Sequence, residues 1–218
     1  MAYALIANAA AESTNSITAT TAAIDTTGAN LIVLAVNRAV GVTPTDSKSN
    51  TWTSLTSRGT DPFTTIWYVF NPTVGTGHTF AVSVGNSYPS IFVSAWSGAV
   101  TSPFDAENGA SSASASTLQP GSITPSENNE LVITVVGSTV EGTTYSINGG
   151  FTITNQVDGA DSLAYGGAMA YLIQTTAAAA NPTWTLSGVR SCSAAIACFK
   201  DTPASTAWPG YISPFGWN

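Results

Sequence analysis

Charge is what this chain has least of. Only 8% of its 218 residues are Asp, Glu, Lys or Arg, against about 25% in an ordinary soluble domain. The five cations, Arg38, Lys48, Arg58, Arg190 and Lys200, are scattered, and the net charge is −7. No basic stripe exists to release counterions from a phosphate backbone, so nucleic acid is excluded as a partner. The polar surface has to come from Ser, Thr, Asn and Gly. Long apolar runs are also missing: no stretch approaches the ~18 residues that a spanning helix needs, and no membrane partner is expected. The opening "MAYALIANAAAESTNS" has no positive n-region, and its apolar run is too short and Ala-rich for a secretory signal. The expectation is synthesis in a cytoplasm; if the chain ends outside, it travels as part of an assembly or by a signal-independent route.

Imidazole and thiol are nearly absent as well. His78 is the one histidine, and Cys192 and Cys198 are the two cysteines. If "SCSAAIACFK" is one strand, six steps of ~3.3 Å set the sulfurs' residues about 20 Å apart, beyond the ~7 Å limit for a disulfide. Both thiols therefore read as small core residues, and with His78 they are too few ligands for a zinc site. A Ser-His-Asp triad would have to use His78, but no G-x-S-x-G elbow accompanies it. It reads as an exposed turn histidine. Paired carboxylates of the glycosidase kind fare no better. Asp25, Asp46, Asp61, Asp158 and Asp161 sit beside turn residues, where such side chains bond their own backbone. Calcium ligands are offered by "DGAD" (158–161) and "SENNE" (126–130), but neither has a known loop spacing. No catalytic residue, metal site or cofactor is assigned.

What the chain does have is strand pattern. "HTFAVSVG" sets Phe80, Val82 and Val84 against Thr79, Ala81 and Ser83. "GFTITN" and "PTWTLSG" alternate in the same way. Denser runs, "NLIVLAVN", "TTIWYVFNP", "SIFVSAWSG" and "ELVITVVGS", suit strands covered on both faces. Trp52, Trp67, Trp96 and Trp184 lie inside these patterns and are expected in the core. Gly, Pro, Asn and Asp separate the runs, and no amphipathic helix is evident.

The pattern also repeats. "NLIVLAVN" matches "ELVITVVG", "TWTSLTS" matches "GFTITNQ", and "IFVSAWSG" matches "AAIACFKD". A longer pair, "IWYVFNPTVGTGHTFAVSV" with "MAYLIQTTAAAANPTWTLS", sets Tyr68 against Tyr171. The offset stays between 99 and 104 residues. The expected fold is all-β: a two-sheet antiparallel β-sandwich, jelly-roll-like, over residues 1–200, with pseudo-repeats 1–101 and 102–200. A tandem of two seven-stranded sandwiches is the alternative, but "SGAVTSPFDAENG" looks like a surface crossover and not a linker.

The segments "TDSKSNTWTSLT", "FNPTVGTGHTFAVSV", "IFVSAWSGAVTSPFD", "ITPSENNELVITVVG" and "NPTWTLSG…AAIACFK" together resemble the β-sandwich modules of tailed-phage virion surface proteins, over roughly residues 20 to 200. The resemblance implies residence in the virion after synthesis in the host cytoplasm, and a structural or surface-display role, as capsid decoration, head fibre or tail-associated module, with no catalytic residues.

Residues 201–218, "DTPASTAWPGYISPFGWN", lie outside that resemblance. Pro203, Pro209 and Pro214 bar a helix or strand through them, and four large aromatics make a poor solvated tail. An extended arm of this length reaches at most ~60 Å. Proline lowers the entropy lost on docking, and Trp and Tyr are favoured anchors. Trp208, Tyr211, Phe215 and Trp217 are therefore the expected docking residues, toward copies of the same chain, a major capsid protein or another virion protein. The competing reading folds the arm back over the chain's own sheet edge. A second functional reading is a carbohydrate-binding, lectin-like module, in which the loop residues Tyr88 and Tyr145 would contact surface glycans.

Overall fold

The computed structural model describes residues 2–13, 16–38, 42–85, 88–139, 141–159 and 165–202. Every regular element among them is a strand. The first half holds β1 (Ala4–Glu12), β2 (Thr18–Thr20), β3 (Leu31–Asn37), β4 (Thr45–Asp46), β5 (Thr53–Ser54), β6 (Thr64–Phe70), β7 (Phe80–Ser83) and β8 (Ser90–Ser97). The second holds β9 (Ala99–Leu118), β10 (Glu130–Ser138), β11 (Tyr145–Ile147), β12 (Thr152–Val157), β13 (Gly166–Gln174) and β14 (Trp184–Asp201). All pairings are antiparallel.

Side-chain alternation places the layers. One central sheet has the order β1-β8-β3-β6-β5, and the other has β14-β10-β13-β12, with β9 and β11 also paired to β14. Leu31, Val33 and Ala35 of β3 point into the same buried cluster as Leu131, Ile133 and Val135 of β10. Phe92 and Trp96 from one sheet and Met169, Ala197 and Phe199 from the other complete this shared layer. The odd-numbered residues of β3 and β10 thus face each other, as a period of two requires.

The even-numbered residues face outward and are covered too. Ile32, Leu34 and Val36 meet Ala19, Phe80 and Val82, which come from β2 and β7 of the small β2-β7-β4 sheet. On the far side Val136 packs with Leu118, Tyr145 and Trp184, and Val132 with Ile123 and Ile196. The arrangement therefore adds an outer layer to each side of a sandwich. It explains why β3, β8 and β10 read as unbroken apolar runs: both faces are buried. Trp96 and Trp184 are fully enclosed, Trp52 is buried, and Trp67 is half-buried against the β2-β7-β4 side.

A polar lock crosses between the central sheets. Asn37, at the end of β3, donates through Nδ2 to the carbonyls of Val136 and Gly166, both at 3.3 Å. Its Oδ1 accepts from Thr64 Oγ1 at 3.0 Å, and Thr64 Oγ1 also meets Ser193 Oγ at 2.7 Å. All of these groups are buried, so each hydrogen bond offsets a desolvation penalty. Asn37 fits because Gly137 and Gly167 lie beneath it: a Cβ on Gly167 would stand 2.1 Å from Asn37 Nδ2. Gly167→Ala is therefore expected to lower stability by about 3 kcal/mol, at the upper end for overpacking. Equilibrium urea unfolding measures it, and a loss below about 0.5 kcal/mol would contradict the close approach.

Candidate functional site

The crossover between the halves builds a cleft. On β14, Phe199 and Asp201 are two residues apart, but their partners on β9, Phe104 and Ala99, are five apart. The surplus residues of β9 must loop out, as in a β-bulge. Ser102 takes a positive φ of 60° there, and Pro103 lacks a backbone donor for the ladder. Thr101, Ser102 and Pro103 thus form one wall of a cleft of about 450 Å³, whose other lining includes Thr51, Thr53, Tyr68 and Phe70. That volume falls in the range of small-ligand sites.

The cleft floor is aromatic for a simple reason. Ile66, Tyr68 and Phe70 share the inner face of β6, but only Ile66 is deep enough to be sealed. Tyr68 and Phe70, nearer the end of β6, remain half-buried. Tyr68 lies nearly parallel to Phe104, with centroids 6.1 Å apart and an interplanar angle of 18°, and both rings meet Phe199 edge-on. Burial raises the Tyr68 hydroxyl pKa above its ordinary value, so the ring stays neutral. A flat aromatic floor beside the hydroxyls of Thr51, Thr53, Thr101 and Ser102 can hold another aromatic side chain or an apolar sugar face.

The residues singled out from sequence are distributed differently. Tyr145 is buried, not a loop contact. Its hydroxyl bonds Ser138 Oγ at 2.7 Å, its ring packs with Trp184 and Leu186, and burial pushes its pKa well up. The turn "GTTYS" hid the short strand β11, which pairs with β14. Tyr88 is half-buried, and its carbonyl accepts from Tyr165 N at 3.3 Å. Neither tyrosine lines the cleft. Trp208, Tyr211, Phe215 and Trp217 lie outside the described residues.

His78 also departs from expectation, being fully buried where an exposed turn residue was expected. Its Nε2 meets Asp46 Oδ1 at 2.9 Å, and its Nδ1 meets Thr26 Oγ1 at 2.9 Å. The order Thr-His-Asp is that of a hydrolytic triad, but the hydroxyl, the imidazole and the carboxylate are all enclosed. The cluster is a staple instead. Asp46 Oδ2 accepts from Trp52 Nε1 at 3.0 Å, Asp46 Oδ1 accepts from Lys48 N at 2.9 Å, and His78 stacks on Phe80. The Asp25 carboxylate has the turn role expected of it, accepting from Thr27 N at 2.9 Å. Asp61 instead pairs with Arg38 and accepts from Tyr165 Oη. Cys192 and Cys198 are free and buried.

No family model matches the chain, and neither a curated protein nor a solved structure matches it.

Burial opposes the charge on Asp46, but donation from His78, the Lys48 amide and Trp52 outweighs it and holds the pKa below the usual range. A carboxyl whose folded pKa lies below its unfolded value of about 3.9 stabilises the fold above that pH. The contribution is lost as pH falls through the folded value. Asp46→Ala is expected to cost about 3 kcal/mol at pH 7 by stranding buried donors. It should also flatten the acid limb of stability below pH ~4. Urea midpoints at pH 7 and pH 3 check both; equal losses at the two pH values would refute the assignment.

Proposed function

We propose that this chain is a non-enzymatic structural protein of a virus particle, a capsid decoration or other virion surface protein, which docks through the arm at residues 201–218. One observation carries the reading. The last described residue is Thr202, whose amide and hydroxyl both donate to Gly98 O, at 2.8 and 2.7 Å. Gly98 immediately precedes β9, and the bulge at Thr101–Pro103 walls the aromatic cleft. An arm carrying Trp208, Tyr211, Phe215 and Trp217 thus starts beside a cleft floored by Tyr68 and Phe104. Aromatic side chains in desolvated pockets are the usual anchors of an interface.

Two further features support a structural role. The one histidine is sealed within its staple, so it presents no base to a substrate. Stability rests on apolar burial between layers, worth ~25 cal/mol per Å². Partners in this reading are copies of the chain or a shell protein. A chain ending at Thr202 should fold with an unchanged urea midpoint but run as a monomer in light scattering, where the full chain is an oligomer or binds shell particles. Equal assembly of the two chains would sink the reading.

The cleft itself favours a second reading, a lectin-like module that takes surface glycans. Here the stacked Tyr68 and Phe104 rings would carry the sugar, in place of Tyr88 and Tyr145, and the four hydroxyls would orient it. Titration with a glycan panel should then quench tryptophan emission, and Tyr68→Ala should weaken the strongest binder at least tenfold. Silence across the panel counts against it.

A further inference from the structure

The second independent feature of the molecule is a buried carboxylate with one oxygen left over. Glu130 opens β10 and is fully enclosed. Its Oε1 accepts from the Glu127 amide at 2.8 Å and from Ser126 Oγ at 3.4 Å. Its Oε2 accepts from no amide or hydroxyl; the Cys198 thiol and the Asp105 carboxyl face the Glu130 carboxyl. Such an atom carries a desolvation penalty of about 1–3 kcal/mol or more, and native structures rarely leave it unmet.

Two further ligand atoms converge on it. Asp105 of β9 and Cys198 of β14 each bring one, and with Glu130 the three lie within 4.8 Å of one another. Cys198 Sγ is 3.7 Å from Asp105 Oδ2. The placement follows from the sheet: Val132 pairs with Cys198, and Cys198 with Ala106, so neighbouring rungs of β10, β14 and β9 set the three residues side by side. Asp105 is fixed by the Ser126 amide and hydroxyl, both at 2.8 Å. Lys200 Nζ, partly exposed, reaches Asp105 Oδ1 at 3.1 Å.

We propose that Asp105, Glu130 and Cys198 form a site for one thiophilic divalent cation, zinc in the first instance. Two carboxylates and a sulfur make three of the four ligands of a tetrahedral ion, and a water on the Asp105 side supplies the fourth. Three protein donors are too few for calcium, which takes six to eight oxygens, and sulfur selects against magnesium and calcium. Ligands bound at ~2.0–2.3 Å stand roughly 3.5 Å apart, so a trio already within 4.8 Å needs only a small closure, and the Asp105–Cys198 pair, at 3.7 Å, is nearly in place. On binding, the Cys198 S–H bond breaks, its electron pair forms the sulfur–metal bond, and the proton goes to solvent. The bound ion ties β9, β14 and β10 together at the base of the crossover that forms the aromatic cleft.

The test is titration of the intact, metal-stripped chain with cobalt(II) as a spectroscopic probe, followed by displacement with zinc. One cobalt per chain with a thiolate-to-cobalt charge-transfer band is expected, abolished by Cys198→Ala and retained by Cys192→Ala. Zinc should raise the thermal midpoint of the unmodified chain by mass action. Since Cys198→Ala leaves a cavity, X-ray absorption of the zinc-loaded unmodified chain is an independent check. One sulfur at ~2.3 Å with oxygens at ~2.0 Å is expected. No band, a band that survives Cys198→Ala, or a zinc shell lacking sulfur would each overturn the proposal.

Discussion

The structure depends on one apolar layer, held jointly by two sheets that come from opposite halves of the chain. Leu31, Val33 and Ala35 meet Leu131, Ile133 and Val135 there, with Trp96 and Phe199 among them. Neither sheet can expose that face to water without uncovering a row of large aliphatic and aromatic groups. The outer layers follow from it. Once β3 and β10 are committed inward, their other faces are also apolar and demand cover, which β2, β7 and the first rungs of β14 provide. Connection order is then constrained, because each outer strand has to return to its own central sheet.

A chain with few charges also needs a way to fix register, since apolar faces slide. Buried polar groups serve that purpose here. Asn37, Thr64 and Ser193 form bonds across the layer that exist in one alignment only. Asp46 gathers His78, Trp52 and its own turn in a similar way on the outer side. Both networks lie at strand ends, where a one-residue slip would strand several donors at once. The glycines below Asn37 belong to the same device, since only a bare backbone admits an amide there.

Much of the fold was legible because burial on two faces leaves a mark in sequence: unbroken runs such as "NLIVLAVN" and "ELVITVVG" became β3 and β10, and Trp96 and Trp184 are enclosed as their context indicated. The candidate site was not legible. Tyr68 sits in a strand pattern like any core aromatic, and what exposes it is its position near the end of β6 and a surplus of residues on β9 opposite β14. Register surplus between strands so far apart in sequence has no local signature. His78 was misread for a related reason. Its neighbours "VGTG" look like an open turn, but its partners Thr26 and Asp46 come from 52 and 32 residues away. Tyr145 was misread because β11 is three residues long and framed by turn residues.

Tyr3 donates to Lys200 O at 2.7 Å, and Thr202 bonds Gly98, whose Cα lies against the Tyr3 backbone. The first and last described stretches are thus neighbours at one pole. A pull applied between these two stretches enters at that pole and loads β1 and β14, which belong to different central sheets, so it bears directly on the apolar layer between them, where Tyr3 and Phe199 sit.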